Sequence, residues 1–314
     1  MLIDRLKTSA VLITITAALL YLDAKFSFTG SEGLWLLPLL LFFAVGTAWD
    51  IATLLSNSGR PIRRGVAVTA TVLVTLSACL PMIWPLTGSE YPPNCPVGHL
   101  GWIVIAAVAA VFLILLAEMV HYEPETEGAI ERTCGGVFVS VYVGLPMALL
   151  VALRSMGDGN WGLAAVLTTI AVTKSTDAGA YFSGKTFGKH KLIPRLSPGK
   201  TIEGSVGGIL TATIVAFVCL KWLFPAIAGG SSGPVSAPSI PGLDQPIWGA
   251  LCLGPVLAMT GMIGDLAESL VKRDSGAKDS GNLLPGLGGV WDVTDSLIAA
   301  VMPAFLCFAA GVAA

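Results

Sequence analysis

Ionisable side chains are concentrated towards the C-terminal end of a chain that is otherwise apolar. Asp265, Glu268 and Lys272 are spaced i, i+3 and i+7, so they lie on one stripe of a helix. Asp292 and Asp295 stand one turn apart where the last apolar segment begins. Carboxylates from two neighbouring helix ends could hold Mg²⁺ that also binds substrate phosphates. A salt-bridged stripe, or helix caps at Asp292 and Asp295, are the structural alternatives.

A second group of charges lies upstream and is mainly basic. Lys174 and Asp177 are one turn apart, share a helical face and could pair. The segments 184–191 and 197–204 then combine glycines with lysines. Free backbone amides and cationic side chains suit the binding of polyphosphates. Ordinary charge in a cytoplasmic loop is the alternative, and the P-loop pattern is not met.

The composition indicates a membrane protein. Hydrophobic residues make up 54% of the 314 residues and charged residues only 12%, whereas a soluble domain has about 25% charged residues. The apolar surface must therefore face lipid. A net charge of −2 without a broad basic face argues against nucleic acid as a partner. The six cysteines form no C-x-x-C pair and the three histidines no H-E-x-x-H motif, which argues against a zinc site.

A bilayer core about 30 Å thick requires roughly 20 mostly apolar residues per helix. On this basis we predict an all-α, polytopic membrane protein with about nine transmembrane helices. The first span follows Arg5 and Lys7 and is expected to remain uncleaved, because no A-x-A site follows it. The spans are predicted near 9–22, 34–54, 66–86, 101–120, 135–153, 160–178, 205–224, 247–271 and 293–313.

The distribution of Lys and Arg predicts the orientation. Nine spans place fourteen of the 18 Lys and Arg residues on the face that holds the N-terminus. By the positive-inside rule that face is cytoplasmic, and the short loops favour a bacterial inner membrane. The charged C-terminal groups then also face the cytoplasm. Asp50 and Glu118 lie near predicted span ends, so we expect them to be solvated carboxylates.

The C-terminal motifs resemble the phosphatidate cytidylyltransferase (CDP-diacylglycerol synthase) family. The resemblance covers residues 170–300 and includes the upstream motifs around Asp177, Lys200 and Asp265. Two positions depart from the family signature, because Leu287 replaces a histidine and Val293 an arginine. The signature positions that match in register are Ser269, Lys272, Arg273, Lys278, Asp279, Pro285, Gly286, Gly288, Gly289, Asp292 and Asp295.

The resemblance implies transfer of the cytidylyl group of CTP to phosphatidate, giving CDP-diacylglycerol and pyrophosphate. It implies Mg²⁺ held by Asp265 and Asp292, with Asp295 and Glu268 as auxiliary ligands and a second cation nearby. Lys272 and Arg273 complete the catalytic set. It also implies a homodimer in contact with membrane lipids. The residues expected to bind the substrates are Lys200, Thr201, Ser269, Lys278, Asp279, Gly288, Gly289 and Asp177.

The sequence therefore predicts an N-terminal scaffold of helices in residues 1–155 and a catalytic region in 156–314. Three alternatives remain open at this point. A CTP-dependent polyprenol kinase would use the same nucleotide and metal. An ion-coupled secondary transporter would also carry intramembrane charges, although such charges usually lie near the midplane and in repeats. A catalytically inactive scaffold is the third.

Overall fold

Long helices occupy the apolar segments of the chain. A computed structural model describes residues 2–28, 30–60, 62–89, 91–123, 127–234 and 240–313. Short 3₁₀ turns precede α2 and follow α4, and a π-helical turn, Cys219–Leu223, joins α8 to α9. The helices are α1 (Leu2–Phe26), α2 (Leu37–Asn57), α3 (Arg64–Ser77), α4 (Leu80–Ile83), α5 (Gly98–Val120), α6 (Ala129–Arg154), α7 (Trp161–Phe187), α8 (Ile202–Val218), α9 (Phe224–Ala228), α10 (Pro246–Asp274) and α11 (Trp291–Ala309).

The helical content confirms the prediction of an all-α polytopic membrane protein. Within the described residues, seven helices are long and apolar enough to cross a membrane. An eighth span results if α3 and the helical segment Leu80–Thr87, bent by 54°, are counted together. Each of the nine predicted spans falls on a helix, but the count of nine is not confirmed. The predicted span that is missing from this count is α7. This helix is long enough to cross a membrane, but it carries several threonines and Lys174.

The chain divides into two compact units. One contains Met1–Ala152 and Val271–Thr294, and the other contains Leu153–Leu270 and Asp295–Ala314. Helices α10 and α11 therefore each contribute residues to both units. The predicted regions 1–155 and 156–314 are functional assignments and stay predictions.

In the first unit, small and branched side chains of α3, α5 and α6 form an apolar core. Glu118, at the end of α5, is buried beside this core and accepts hydrogen bonds from Arg63 and Arg132, each at 2.8 Å. The expectation that Glu118 and Asp50 are solvated is wrong, because both side chains are buried. Their polar partners lie on elements that are distant in sequence, so their pairing could not be read from the local sequence.

In the second unit, α7 packs most extensively against α8. The buried face of α8 is a stripe of small residues at intervals of four: Gly204, Gly208, Ala212 and Ala216. A Cβ built at Gly208 would lie 3.1 Å from the carbonyl oxygen of Thr176 on α7. Small residues at this spacing let two helix backbones approach closely, as is usual between membrane helices. The α7–α8 pair is thereby held backbone to backbone.

The basic segment between these two helices is more ordered than the sequence predicted. Helix α7 continues to Phe187, and a two-stranded antiparallel hairpin follows, formed by β1 (Lys191–Ile193) and β2 (Ser197–Thr201). Glu203 in the first turn of α8 accepts a hydrogen bond from Lys189 N at 3.1 Å and binds His190 Nδ1 at 2.6 Å. The hairpin is therefore attached to the start of α8.

The contact between α8 and α10 gives a first prediction. A Cβ at Gly254 would lie 2.8 Å from Thr213 N and closer still to its Cα. Backbone atoms cannot yield as a flexible side chain can, so we expect Gly254→Ala to destabilise the protein by about 1–3 kcal/mol. Thermal unfolding in detergent measures this. Gly65→Ala is the control, since no atom lies within 4 Å of that Cβ; equal melting temperatures for the two variants would contradict the packing argument.

The start of α8 gives a second prediction. Thr201 has extended backbone geometry and its hydroxyl accepts a hydrogen bond from Gly204 N at 3.1 Å, as an N-cap does. Loss of this cap in Thr201→Ala should lower the stability by about 1 kcal/mol. Thr201→Ser retains the hydroxyl and should remain close to the wild-type melting temperature in the same detergent. A Ser variant as unstable as the Ala variant would show that the methyl group, not the cap, is what matters.

Candidate active site

Three of the predicted metal ligands come together in the second unit. One carboxylate oxygen from each of Asp265, Glu268 and Asp295 lies within 4.8 Å of the other two. Asp265 and Glu268 are one turn apart on α10, as the sequence predicted. Asp295 approaches them because Gly264 has no side chain: a Cβ there would lie 2.8 Å from Ala299 Cβ on α11. The glycine thus brings the first turns of α11 against α10.

Two lysines lie close to this carboxylate cluster. Lys200 Nζ is 2.6 Å from Asp265 Oδ2. Lys174 Nζ donates a hydrogen bond to Ser296 Oγ at 2.9 Å and lies 3.8 Å from Asp177 Oδ2. The predicted pairing of Lys174 with Asp177 is therefore confirmed, while the contacts of the two lysines with α10 and α11 were not predicted.

Several charged side chains lie close together in this region. Asp177 lies near Asp265 and Asp295 and adds a fourth carboxylate to the cluster. The ammonium groups of Lys174 and Lys200 lie beside Asp177 and Asp265. Glu268 and Asp295 are also buried, which strengthens the repulsion between like charges. Three carboxylate oxygens at this spacing, two of them from buried side chains, fit a divalent cation such as Mg²⁺.

A cavity of about 460 Å³ opens beside the cluster. It lies between the end of α7, the hairpin and α8, and Asp177, Lys200 and Asp265 contribute to its wall. Lys185 and the exposed ring of Tyr181 also line it. Cationic side chains, glycines and an aromatic ring around one space suit a phosphorylated ligand with a planar base. The basic segment predicted to bind polyphosphate therefore forms much of this cavity.

Asp292 is placed differently from the other acidic residues, in the first unit. Its Oδ1 accepts a hydrogen bond from Lys272 Nζ at 2.8 Å. Its Oδ2 accepts three more: from Ser280 N at 3.0 Å, Ser280 Oγ at 2.7 Å and Gly289 N at 2.7 Å. The structure thus surrounds Asp292 with donors of its own chain, and its role as a metal ligand stays a prediction.

The remaining predicted residues lie in or near the connection between α10 and α11. Gly288 has a backbone φ of +104°, which residues with a side chain rarely adopt. A Cβ at this position would also lie 2.6 Å from Asp292 Oδ2. Ser269 is half-buried on α10, and Arg273, Lys278 and Asp279 are exposed. The exposed cations are therefore accessible to a phosphate in solution.

Asp50 is an acidic residue that contacts these motifs, a contact that was not predicted from the sequence. It lies on α2, and its carboxylate binds the backbone at the start of α11. The available signal was an aspartate within an apolar segment, which alone does not reveal a partner 240 residues away.

Comparison with known proteins agrees with these features. The sequence profile of the cytidylyltransferase family matches residues 3–310. A phosphatidate cytidylyltransferase of Haemophilus influenzae is 42% identical over 144 residues, which are 46% of this chain and 45% of that protein. Proteins of the same name from Brucella suis and Bacillus subtilis are 40% and 38% identical over 171 and 169 residues. The latter two alignments cover 54% of this chain, and 54% and 55% of those proteins.

The chain thus spans about half the length of the curated relatives it matches. The family profile, by contrast, extends over nearly the whole sequence. This match, together with the carboxylates of α10 and α11 and with Lys272 at the end of α10, places the chain in the cytidylyltransferase family.

Proposed function

We propose that the protein transfers the cytidylyl group of CTP to phosphatidate, giving CDP-diacylglycerol and pyrophosphate. The observation that carries the proposal is the cluster of Asp265, Glu268 and Asp295 with Lys200 at the edge of an open cavity. A carboxylate site for a divalent cation next to cationic side chains is what transfer between two phosphate esters requires. The family and the names of the relatives support the choice of substrates.

Asp265, Glu268 and Asp295 are the residues that we propose to hold Mg²⁺. We assign a second cation to Asp177, which lines the same cavity as Asp265. When bound, the ion neutralises negative charge on the nucleotide triphosphate. We assign Asp292 a different task from the one the resemblance implied. Its bond to Lys272 favours a role in orienting that ammonium group.

The reaction itself makes modest demands on acid–base chemistry. An oxygen of the lipid phosphate, already ionised near neutral pH, forms a bond to the α-phosphorus of CTP. The bond from that phosphorus to the bridging oxygen breaks, and pyrophosphate leaves with the electron pair. No general base is needed, so bringing two anions together is the main difficulty. Lys272, Arg273 and Lys278 are available to neutralise phosphates, and Lys200 and Lys185 to bind the ligand in the cavity.

The membrane supplies one of the two substrates. We propose that the lipid tails remain in the bilayer while CTP arrives from the cytoplasm, the side favoured by the distribution of Lys and Arg. A bacterial inner membrane and a homodimer, both expected from the sequence, are part of this proposal. The cytidylyltransferase family favours this activity over an ion-coupled transporter and over a polyprenol kinase, which would release CDP instead of pyrophosphate.

The activity can be tested directly with the purified protein in detergent. With phosphatidate and α-labelled CTP, we expect label in the lipid fraction, an equal amount of pyrophosphate, and dependence on added Mg²⁺. Release of CDP with a phosphorylated lipid would instead identify a kinase. No nucleotide turnover with intact, folded protein would refute the proposed function.

The metal assignment gives a separate prediction. Asp265→Asn and Asp295→Asn should each lower the rate about 100-fold or more, because the cation loses a ligand. They should also weaken the binding of Mn²⁺, a paramagnetic substitute for Mg²⁺, measured by electron paramagnetic resonance without substrate. Asp292→Asn should lower the rate but leave Mn²⁺ binding intact. The exposed Asp244→Asn is the control and should change neither quantity; Mn²⁺ binding that survives both Asp265→Asn and Asp295→Asn would contradict the assignment.

A further inference from the structure

Asp50 is a buried carboxylate of α2 to which the reaction described above assigns no role. Only 4% of its surface is exposed. Charged side chains are rarely buried to this extent without partners, because their removal from water is unfavourable. The contacts of Asp50 therefore indicate what holds it in place.

The partners of Asp50 are backbone amides at the start of α11. Its Oδ2 accepts hydrogen bonds from Val290 N at 2.6 Å and from Trp291 N at 3.1 Å. The first amides of a helix have no acceptor within the helix and form the positive end of its dipole. Asp50 thus caps α11 from another helix with a charged acceptor.

Two glycines of the loop between α10 and α11 lie against the same carboxylate. A Cβ built at Gly281 would sit 3.0 Å from Asp50 Cγ and closer to Oδ1. A Cβ built at Gly289 would collide with Asp50 Oδ2 and lie 2.7 Å from Gly281 N. The loop therefore closes around Asp50, and neither glycine leaves space for a side chain.

The loop connects Asp50 to Asp292 and Lys272. Gly289 N donates to Asp292 Oδ2, and the next two amides along the chain donate to Asp50. Asp292 in turn accepts the hydrogen bond from Lys272 Nζ. A series of hydrogen bonds therefore runs from Asp50 through the loop and Asp292 to this ammonium group.

We propose that Asp50 is a positioning residue for cytidylyl transfer. By fixing residues 280–291 it holds Asp292, and with it Lys272, where the ammonium group can meet a substrate phosphate. This inference rests on the proposed function. It requires a charged acceptor at residue 50, whereas a residue that only fills space would need no more than a side chain of the same size.

Two substitutions distinguish a positioning role from a space-filling role. Asp50→Asn keeps the size of the side chain but removes its charge, and Asp50→Ala removes both carboxylate oxygens. We expect kcat to fall about 10- to 100-fold in Asp50→Ala and by a smaller factor in Asp50→Asn, with KM for CTP changed less than about threefold, because misplacement of Lys272 acts on the transition state. Hydrogen exchange of the Val290 and Trp291 amides should become roughly tenfold faster or more in Asp50→Ala, since these amides lose a charge-assisted bond.

Thr47→Ala is the matched control. Thr47 lies one turn before Asp50 on α2, and its hydroxyl is hydrogen-bonded to that of Thr294 on α11 at 2.8 Å. The substitution removes another buried bond between the same two helices without touching the loop. We expect a lower melting temperature, but unchanged kcat and unchanged exchange at residues 290 and 291. The same pattern in Asp50→Ala would overturn the inference.

If Asp50→Ala does not fold, Asp50→Asn and Gly281→Ala decide the question, because a Cβ at residue 281 displaces the Asp50 carboxylate from the loop side. Unchanged kcat and exchange in both variants would overturn the inference. The two proposals can fail separately. Inactive wild-type protein refutes the proposed function and the inference with it, whereas active wild-type protein with unaffected residue-50 variants refutes the inference alone.

Discussion

Repulsion between carboxylates inside an apolar helical protein is the constraint on which the rest of the structure depends. Asp265, Glu268 and Asp295 converge within 4.8 Å, and two of them are buried. In a medium of low polarity such a group persists only with compensating cations close at hand. Lys174 and Lys200 supply part of that compensation, and each comes from a different element of the second unit. The hairpin and the α7–α8 pair form the framework that holds these two ammonium groups beside the carboxylates.

The sequence correctly predicted which site residues are neighbours when those residues lie one turn apart on the same helix. The i, i+3 spacing of Asp265 and Glu268 was sufficient to place both carboxylates on one face of α10, and Lys174 and Asp177 pair as their spacing indicates. The length and apolar composition of the segments located a helix at every predicted span. Such features depend on short stretches of chain, in which helix geometry alone decides which side chains are neighbours.

Features that depend on long-range contacts were not predictable in this way. From the sequence we expected Asp50 and Glu118 to be solvated. Instead both are buried: Asp50 accepts hydrogen bonds from backbone amides, and Glu118 accepts them from two arginines. The hairpin after α7 was taken for a loop, because its strands are only three and five residues long and the second contains Pro and Gly. The hydrogen bonds that Ser280 and Gly289 donate to Asp292 were not foreseen either, since these residues reach it only once the loop has closed.

The polar character of α7 has a consequence for how the protein is made. Threonines 168, 169 and 173 are buried in the second unit, and Lys174 follows them on the same helix. Such a segment is unfavourable in hydrocarbon by itself, since each charged group near a helix centre adds about 2.5–3.5 kcal/mol to the free energy of insertion. For α7 to cross a bilayer during synthesis, it has to leave the translocon together with an apolar neighbour. The small-residue face of α8 makes that helix the natural companion, so the pair is suited to enter the lipid as one helical hairpin.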